Sequence, residues 1–314
     1  MRHFPELLAA VDAAPRKRVA LAAAHERSVL EAVADAHAKG YIDAVLVGDI
    51  GKIEAIGREA GLDLSAFELV DARGDGDAAF KATDIVAAGD ADILMKGYVH
   101  TDELLKAVLR REGGLRTGRL MSHVFVMEPP SHGRFFLVSD GAMNIAPTLQ
   151  QKVQILLNAV YIALVLGIEE PKVACLSAVE TVNANIPGTV DAGALREMWE
   201  KGAFKSRCAV WGPLALDNAV SEEAARTKGI KGPVAGRADV LLVPNIESGN
   251  MLFKSMAYFG GSPLAGIVVG AKVPIVLTSR ADSPESKLLS IALATYVAYE
   301  SRRAGIEPET APEV

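Results

Sequence analysis

The chain has 314 residues, 50% of them hydrophobic, with 39 acidic side chains against 33 basic ones and a formal charge of −6 at pH 7. That length exceeds what one hydrophobic core serves, so two domains are expected, and the acidic balance argues against nucleic acid or an anionic membrane surface as a partner. Two cysteines are too few for a disulfide framework or a metal site; Cys175 lies in an apolar run and Cys208 near Trp211, and both are expected as reduced packing residues.

Short β-rich runs are expected at 18–24, 44–48, 67–71, 92–96, 123–128, 134–139, 172–178, 209–214, 239–245, 265–270 and 274–279. Between them, 26–39, 101–112, 148–166 and 190–201 carry apolar residues at helical spacing. Strands alternating with helices make an α/β protein with mostly parallel strands. The 148–166 helix opens just after Pro147 and runs to Gly167 with little punctuation, long enough to bridge two domains. The expected division is a discontinuous first domain, 1–144 plus 264–314, with 145–263 as the second. The polar tail 306–314 reads as disordered. Met1-Arg2-His3-Phe4-Pro5 leads into no apolar signal segment, and the longest apolar stretch, 155–168, is broken by Asn158 and too short to span a bilayer. No membrane partner is expected, and the cytoplasm is the expected compartment.

Gly74-Asp75-Gly76-Asp77-Ala78-Ala79 matches a dinucleotide-binding pattern, but Asp75 and Asp77 would face a pyrophosphate with like charge. The segment is expected to be the acidic start of a helix. The phosphate loop, the paired-histidine zinc motif, the serine elbow and the C-x-x-C pair do not occur, so neither a metal nor a covalent protein nucleophile is expected. More informative are four strand ends rich in small polar groups: 96–101, 139–144, 245–250 and 278–280. Each follows a hydrophobic strand and precedes a helical pattern, and the four are expected to converge on the ligand crevice of an open sheet.

From these ends Lys96, His100, Asn144, Asn245, Gly249 and Asn250 are candidate substrate-binding residues. Lys96 must face substrate or pair with a carboxylate, because a charge at the end of an apolar strand is costly to bury alone. His100 reads equally as a turn or capping residue. Arg116 belongs to a basic segment, 110–119, that sets four arginines around flexible glycines, either as a solvated loop or as a phosphate clamp. In 274–287 a buried-looking strand ends in Ser279-Arg280 and a helix begins almost at once, an arrangement suited to an anion.

Leu94-Met95-Lys96-Gly97, Gly114-Leu115-Arg116-Thr117-Gly118, Asp140-Gly141-Ala142-Met143-Asn144, Gly212-Pro213-Leu214-Ala215-Leu216-Asp217, Val243-Pro244-Asn245-Ile246-Glu247-Ser248-Gly249-Asn250 and Leu277-Thr278-Ser279-Arg280 together resemble the phosphate acetyl/butyryltransferases. The wording is closer to the butyryltransferase branch. The resemblance implies a two-domain isocitrate/isopropylmalate dehydrogenase-like α/β fold, with mostly parallel sheets and an active-site cleft between domains. It also implies a homodimer or an assembly of dimers, and exchange of a short acyl group, butyryl or acetyl, between coenzyme A and inorganic phosphate in a ternary complex. Acyl-CoA and phosphate are then the partners, and coenzyme A is a substrate, with no cofactor permanently bound.

By the same resemblance Ser279 contacts the thiol and Arg280 stabilises charge on the phosphate or acyl oxygen. The acetyltransferase branch carries an aspartate base at the position that is Ser286 here. Asp282 and Glu285 are the nearby candidates, although Asp282-Ser283-Pro284-Glu285 also reads as a helix start with its cap. Two alternatives stand beside the transferase. A dehydrogenase on the same fold would need metal-binding aspartates and a nicotinamide loop, neither of which is assembled. A non-catalytic acyl-CoA sensor would bind without turnover.

Overall fold

The computed structural model describes residues 1–279 and 281–312; Arg280 lies outside the described residues. The chain begins with α1 (Phe4–Asp12), β1 (Lys17–Ala22), α2 (Arg27–Ala38), β2 (Ile42–Gly48), α3 (Ile50–Ala60), β3 (Glu68–Asp71), α4 (Asp75–Ala88), β4 (Ile93–Lys96) and α5 (Thr101–Leu109). There follow β5 (Ser122–Met127), β6 (Phe136–Ser139), α6 (Leu149–Val165), β7 (Lys172–Leu176), α7 (Pro187–Glu200), β8 (Ala209–Leu214), α8 (Leu216–Val220), α9 (Glu222–Thr227), β9 (Val240–Leu242) and α10 (Ile246–Tyr258). It closes with β10 (Leu264–Val269), β11 (Ile275–Val276) and α11 (Pro284–Ala304).

The chain separates into two compact units. One comprises 4–119 and 264–305, with strand order β3-β2-β1-β4-β11-β10. From β3 to β11 neighbouring strands are parallel, and β10 runs antiparallel to β11. Val19–Ala22 are wholly buried in β1, the continuous apolar run that a parallel strand covered on both faces requires. Helix α4 packs on β1 and β2, and α11 packs on β10, α1 and α2.

The other unit comprises 1–3, 120–263 and 306–312, with strand order β5-β6-β9-β7-β8. Among the described residues of this unit β5 and β6 pair antiparallel, and the other strand pairs are parallel. Helix α6 packs on β5, β6 and β9, while α7 packs on β7 and β8.

Several expectations change at this level. Residues 120–144 go with the second of these units, because β6 pairs with β9, Leu137 opposite Val240. Helix α6 does not bridge the units: it is the crossover from β6 to β7, opened by a capping box of Thr148 and Gln151. Of the tail, 306–312 are held in place: Glu309 accepts the amides of Lys205 and Ser206 at 2.7 and 2.6 Å, and Gln150 donates to the Pro312 carbonyl at 3.0 Å. The run 274–279 supplies only two strand residues, since Leu277 to Ser279 leave the sheet for the loop that starts α11.

Candidate functional site

The four polar strand ends come together in pairs, one pair within each unit. In the first unit β4 and β11 are parallel, with Met95 opposite Val276, so both chains leave the sheet at its carboxyl edge side by side. Beyond β4, the amides of Gly97 and Tyr98 donate to the carbonyls of Ala22 and Ala23 at 2.8 Å each. A Cβ at position 97 would stand 2.3 Å from the Ala23 carbonyl oxygen, so only glycine lets the two backbones approach this closely. Lys96 is buried, and its Nζ donates to the carbonyls of Gly97 (3.0 Å) and Val99 (3.2 Å), bracing the turn from within. His100 occupies the N-cap position of α5 without a side-chain cap bond, leaving an exposed imidazole beside the turn.

Beyond β11, Ser279 is exposed and its amide donates to the Asp282 carboxylate at 2.7 Å. The Ser279 hydroxyl accepts the Ala281 amide at 3.3 Å, and the Asp282 amide returns to the Ser279 carbonyl at 3.1 Å. The cap of α11 is Ser283, not Asp282: its hydroxyl accepts the Ser286 amide at 3.1 Å and meets the Ser286 hydroxyl at 2.9 Å. Pro284 then fits the first turn, whose N–H is unpaired in any helix. Asp282 instead ties the loop, and Glu285 is exposed without a hydrogen bond among the described residues.

In the second unit β6 and β9 are parallel, Ser139 opposite Leu242, and their exits also meet. Asp140 is buried; one carboxylate oxygen accepts the amides of Ala142 (2.9 Å) and Met143 (3.1 Å), the other the Asn144 amide (3.3 Å) and side chain (2.5 Å). Asn144 also donates to the Met121 carbonyl at 3.0 Å, so its amide group ties its own loop to the segment before β5. Asn245 caps α10 by accepting the Ser248 amide at 3.0 Å. Asn250 donates to the Gly141 carbonyl at 3.2 Å, and a Cβ on Gly249 would come within 2.8 Å of the Asp140 carbonyl. Asn250 and Gly249 thus tie the two strand exits together, while Asn144 and Asn245 each hold the exit they stand in.

The basic segment divides in the same way. Arg110 pairs with Asp84, donates to the Gly113 carbonyl at 2.6 Å and lies 5.4 Å from the Phe80 ring centroid. Arg116 bridges to Ala271 through its backbone, while its exposed guanidinium makes no hydrogen bond among the described residues. Of the two, Arg116 is the arginine open to an anion. The acidic segment 74–79 does start a helix: the Arg73 amide and Lys81 hold the Asp77 carboxyl below its ordinary range.

Three features carry no motif and were not expected. His25, beyond β1, lies 3.2 Å from Asp75 with its ring 5.1 Å from that of Tyr98, and its Nδ1 is buried without a hydrogen-bond partner. Lys287 is fully buried in α11 below the Ser279 loop. At the carboxyl ends of β7 and β9 a cavity of about 660 Å³ is lined by Leu176, Ile186, Val243 and Asn245, with Lys152 and Asp191 paired at 2.6 Å in its wall. In sequence both lysines look like ordinary polar positions of a helix; only the packed fold makes them internal.

Comparison with known proteins places this geometry. A family model described as phosphate acetyl/butaryl transferase matches residues 4–79 and 75–295. The chain is 47% identical over 298 residues to the phosphate butyryltransferase of Clostridium acetobutylicum, covering 95% of this chain and 99% of that one. It is 44% identical over 304 residues to the phosphate acetyltransferase of Rhizobium meliloti, covering 96% of each. Among solved structures, a branched-chain phosphotransacylase from Enterococcus faecalis V583 superposes with a TM-score of 0.80 at 36% identity, covering 90% of this chain and 99% of that one. The α/β fold with mostly parallel strands is thus shared with a solved phosphotransacylase, and the matched segments include both strand exits of each unit. On sequence and fold together, the chain belongs to the phosphate acetyl/butyryltransferase family.

Proposed function

We propose that the protein transfers a short-chain acyl group between coenzyme A and inorganic phosphate. The observation that carries this reading is the 47% identity to a phosphate butyryltransferase over 95% of the chain. The geometry supports it, since an exposed serine loop at the start of a 21-residue helix leaves the sheet beside the Lys96 turn. In the forward direction a phosphate oxygen attacks the thioester carbonyl, a carbon–oxygen bond forms, the carbon–sulfur bond breaks, and coenzyme A leaves as its thiolate. Ser279 is assigned to the thiol and Arg280 to the charge that develops on the carbonyl or phosphate oxygen, where a donor fixed in advance is most effective. Arg116 supplies a further guanidinium for phosphate.

Asp282 is the better of the two candidates for the base that takes the thiol proton when transfer runs from acyl phosphate to coenzyme A, because its carboxylate is already fixed on the Ser279 amide while Glu285 makes no hydrogen bond among the described residues. No permanently bound cofactor is part of the proposal. Among the described residues no helix is long and apolar enough to cross a membrane. Substrates of this kind, together with two buried free cysteines, fit the cytoplasm. The protomers pair as a homodimer.

Mixing butyryl-CoA with phosphate and following free thiol tests the activity. Release of thiol that depends on phosphate, without nicotinamide or added metal, is expected; binding without turnover would leave the sensor reading in its place. Butyryl is the proposed acyl group. Two further buried methylenes contribute roughly 1.6 kcal/mol, on the order of fifteenfold in kcat/KM over acetyl-CoA. A higher kcat/KM for acetyl-CoA would reverse that assignment.

A further inference from the structure

Lys287 is 1% exposed, although it stands only one turn into α11. Its Nζ donates to the Asp282 carbonyl at 2.6 Å, and among the described residues no carboxylate forms an ion pair with it. An ammonium has three donors, and among the described residues this one uses a single neutral acceptor. A buried charge is normally paired, because its lost hydration is otherwise uncompensated. At the start of the loop that Asp282 closes, the hydroxyl of Thr278 is also buried and has no hydrogen-bond partner among the described residues. Both groups flank in sequence the short loop that carries the exposed Ser279. The positive end of α11 adds to the same local potential.

Resting on the transferase reading, we propose that Lys287 is the resident cation of the Ser279 loop. It fixes the Asp282 carbonyl, and with it the backbone that orients Ser279 and the Asp282 carboxylate. Its unmatched charge is balanced by the anion that the loop takes, which in the proposed reaction is phosphate or the phosphoryl end of the acyl phosphate. Since Lys287 does not reach the surface, it is a positioning residue that acts through the loop and through its charge.

Lys287→Met, which keeps length and loses charge, separates this role from a structural one. Thermal unfolding is followed with and without inorganic phosphate, and turnover with butyryl-CoA is measured on the same samples. The ligand-free variant is expected to melt at or above the wild-type temperature, because a buried charge has been removed. The rise in melting temperature that phosphate gives the wild type should be lost, and KM for phosphate should rise with kcat/KM falling roughly tenfold to a hundredfold, the scale of one charge-assisted hydrogen bond. Lys287→Arg, which keeps the charge, should recover part of the phosphate effect. A variant that melts lower yet keeps both the phosphate shift and kcat/KM within about twofold would make Lys287 a purely structural residue and overturn the proposal. If the wild type showed no acyl transfer, the transferase reading would fall, while the phosphate-dependent melting of wild type and variant would still decide the role of Lys287.

Discussion

Asp282 and Glu285 stand three positions apart in sequence and in different surroundings. The first accepts the Ser279 amide at 2.7 Å; the second is in solvent. Asp282→Asn keeps an oxygen that can accept the amide, so the fold should lose no more than about 1 kcal/mol, the worth of one hydrogen bond. With acyl phosphate and free coenzyme A as substrates, its kcat should nevertheless drop by roughly 10² or more and the acidic limb of the pH–rate profile should disappear, as for any variant that lacks its general base. Glu285→Gln should leave both unchanged. A full pH–rate profile in Asp282→Asn would remove Asp282 from the chemistry and leave it as the tie of the loop. The cysteines make a separate prediction at this scale. Burial pushes the thiols of Cys175 and Cys208 up to about 12, so neither supplies a thiolate near neutrality. Iodoacetamide at pH 8 should label both only after unfolding. In the unfolded chain the thiols ionise near pH 8.5, so this contribution to stability is complete below about that pH and is lost as pH rises toward 12. Labelling of Cys175 in the native protein would show that its burial is not maintained in solution.

Among the elements, the strand exits depend on contacts that admit no side chain. A Cβ at position 249 would meet the Asp140 carbonyl oxygen, the Gly141 Cα and the Val243 side chain, each at 2.8 Å. Gly249→Ala should therefore lower stability by about 1–3 kcal/mol, the usual cost of overpacking, visible as an earlier midpoint in urea. An unchanged midpoint would mean that α10 can shift away from the β6 exit without cost. The same comparison explains what the sequence could and could not disclose. Strands such as β1 and β4 were legible because they are continuous apolar runs, and the exits were legible because glycine and small polar residues follow them at once. The assignment of 120–144 to its unit was not, since it depends on Leu137 finding Val240, a pairing about a hundred residues away. For the same reason Asn144 and Asn245 drew attention as polar residues at an edge, while only the structure shows their side chains bound to the loops themselves. Lys152 and Lys287 were missed because periodicity reports a helix face, not what lies against it.

At the scale of the whole molecule, α10 presents the clearest unfilled surface. Met251 and Tyr258, seven residues apart and so on one side of the helix, are 63% and 70% exposed, and Phe259 just beyond them is 93% exposed. Single exposed apolar residues are common on monomers, but an aromatic pair with a methionine along one helix and its C-cap is the composition of a protein interface. A homodimer that buries these three side chains would gain roughly 1.5–3 kcal/mol from each when it is fully covered, although part of that offsets the entropy of association. Light scattering of the wild type should therefore report twice the 33.1 kDa of the chain. Replacing Tyr258 and Phe259 together, as Tyr258→Glu and Phe259→Glu, places like charges opposite each other in a symmetric interface, or an unpaired charge inside it, and should shift the mass toward the monomer at micromolar concentration. Because both side chains are solvent-exposed in the single chain, the substitution should leave the midpoint for unfolding of the isolated protomer nearly unchanged. A wild type that runs as a 33.1 kDa monomer would refute the dimer, and a double variant that remains dimeric would move the interface to another face of the protein.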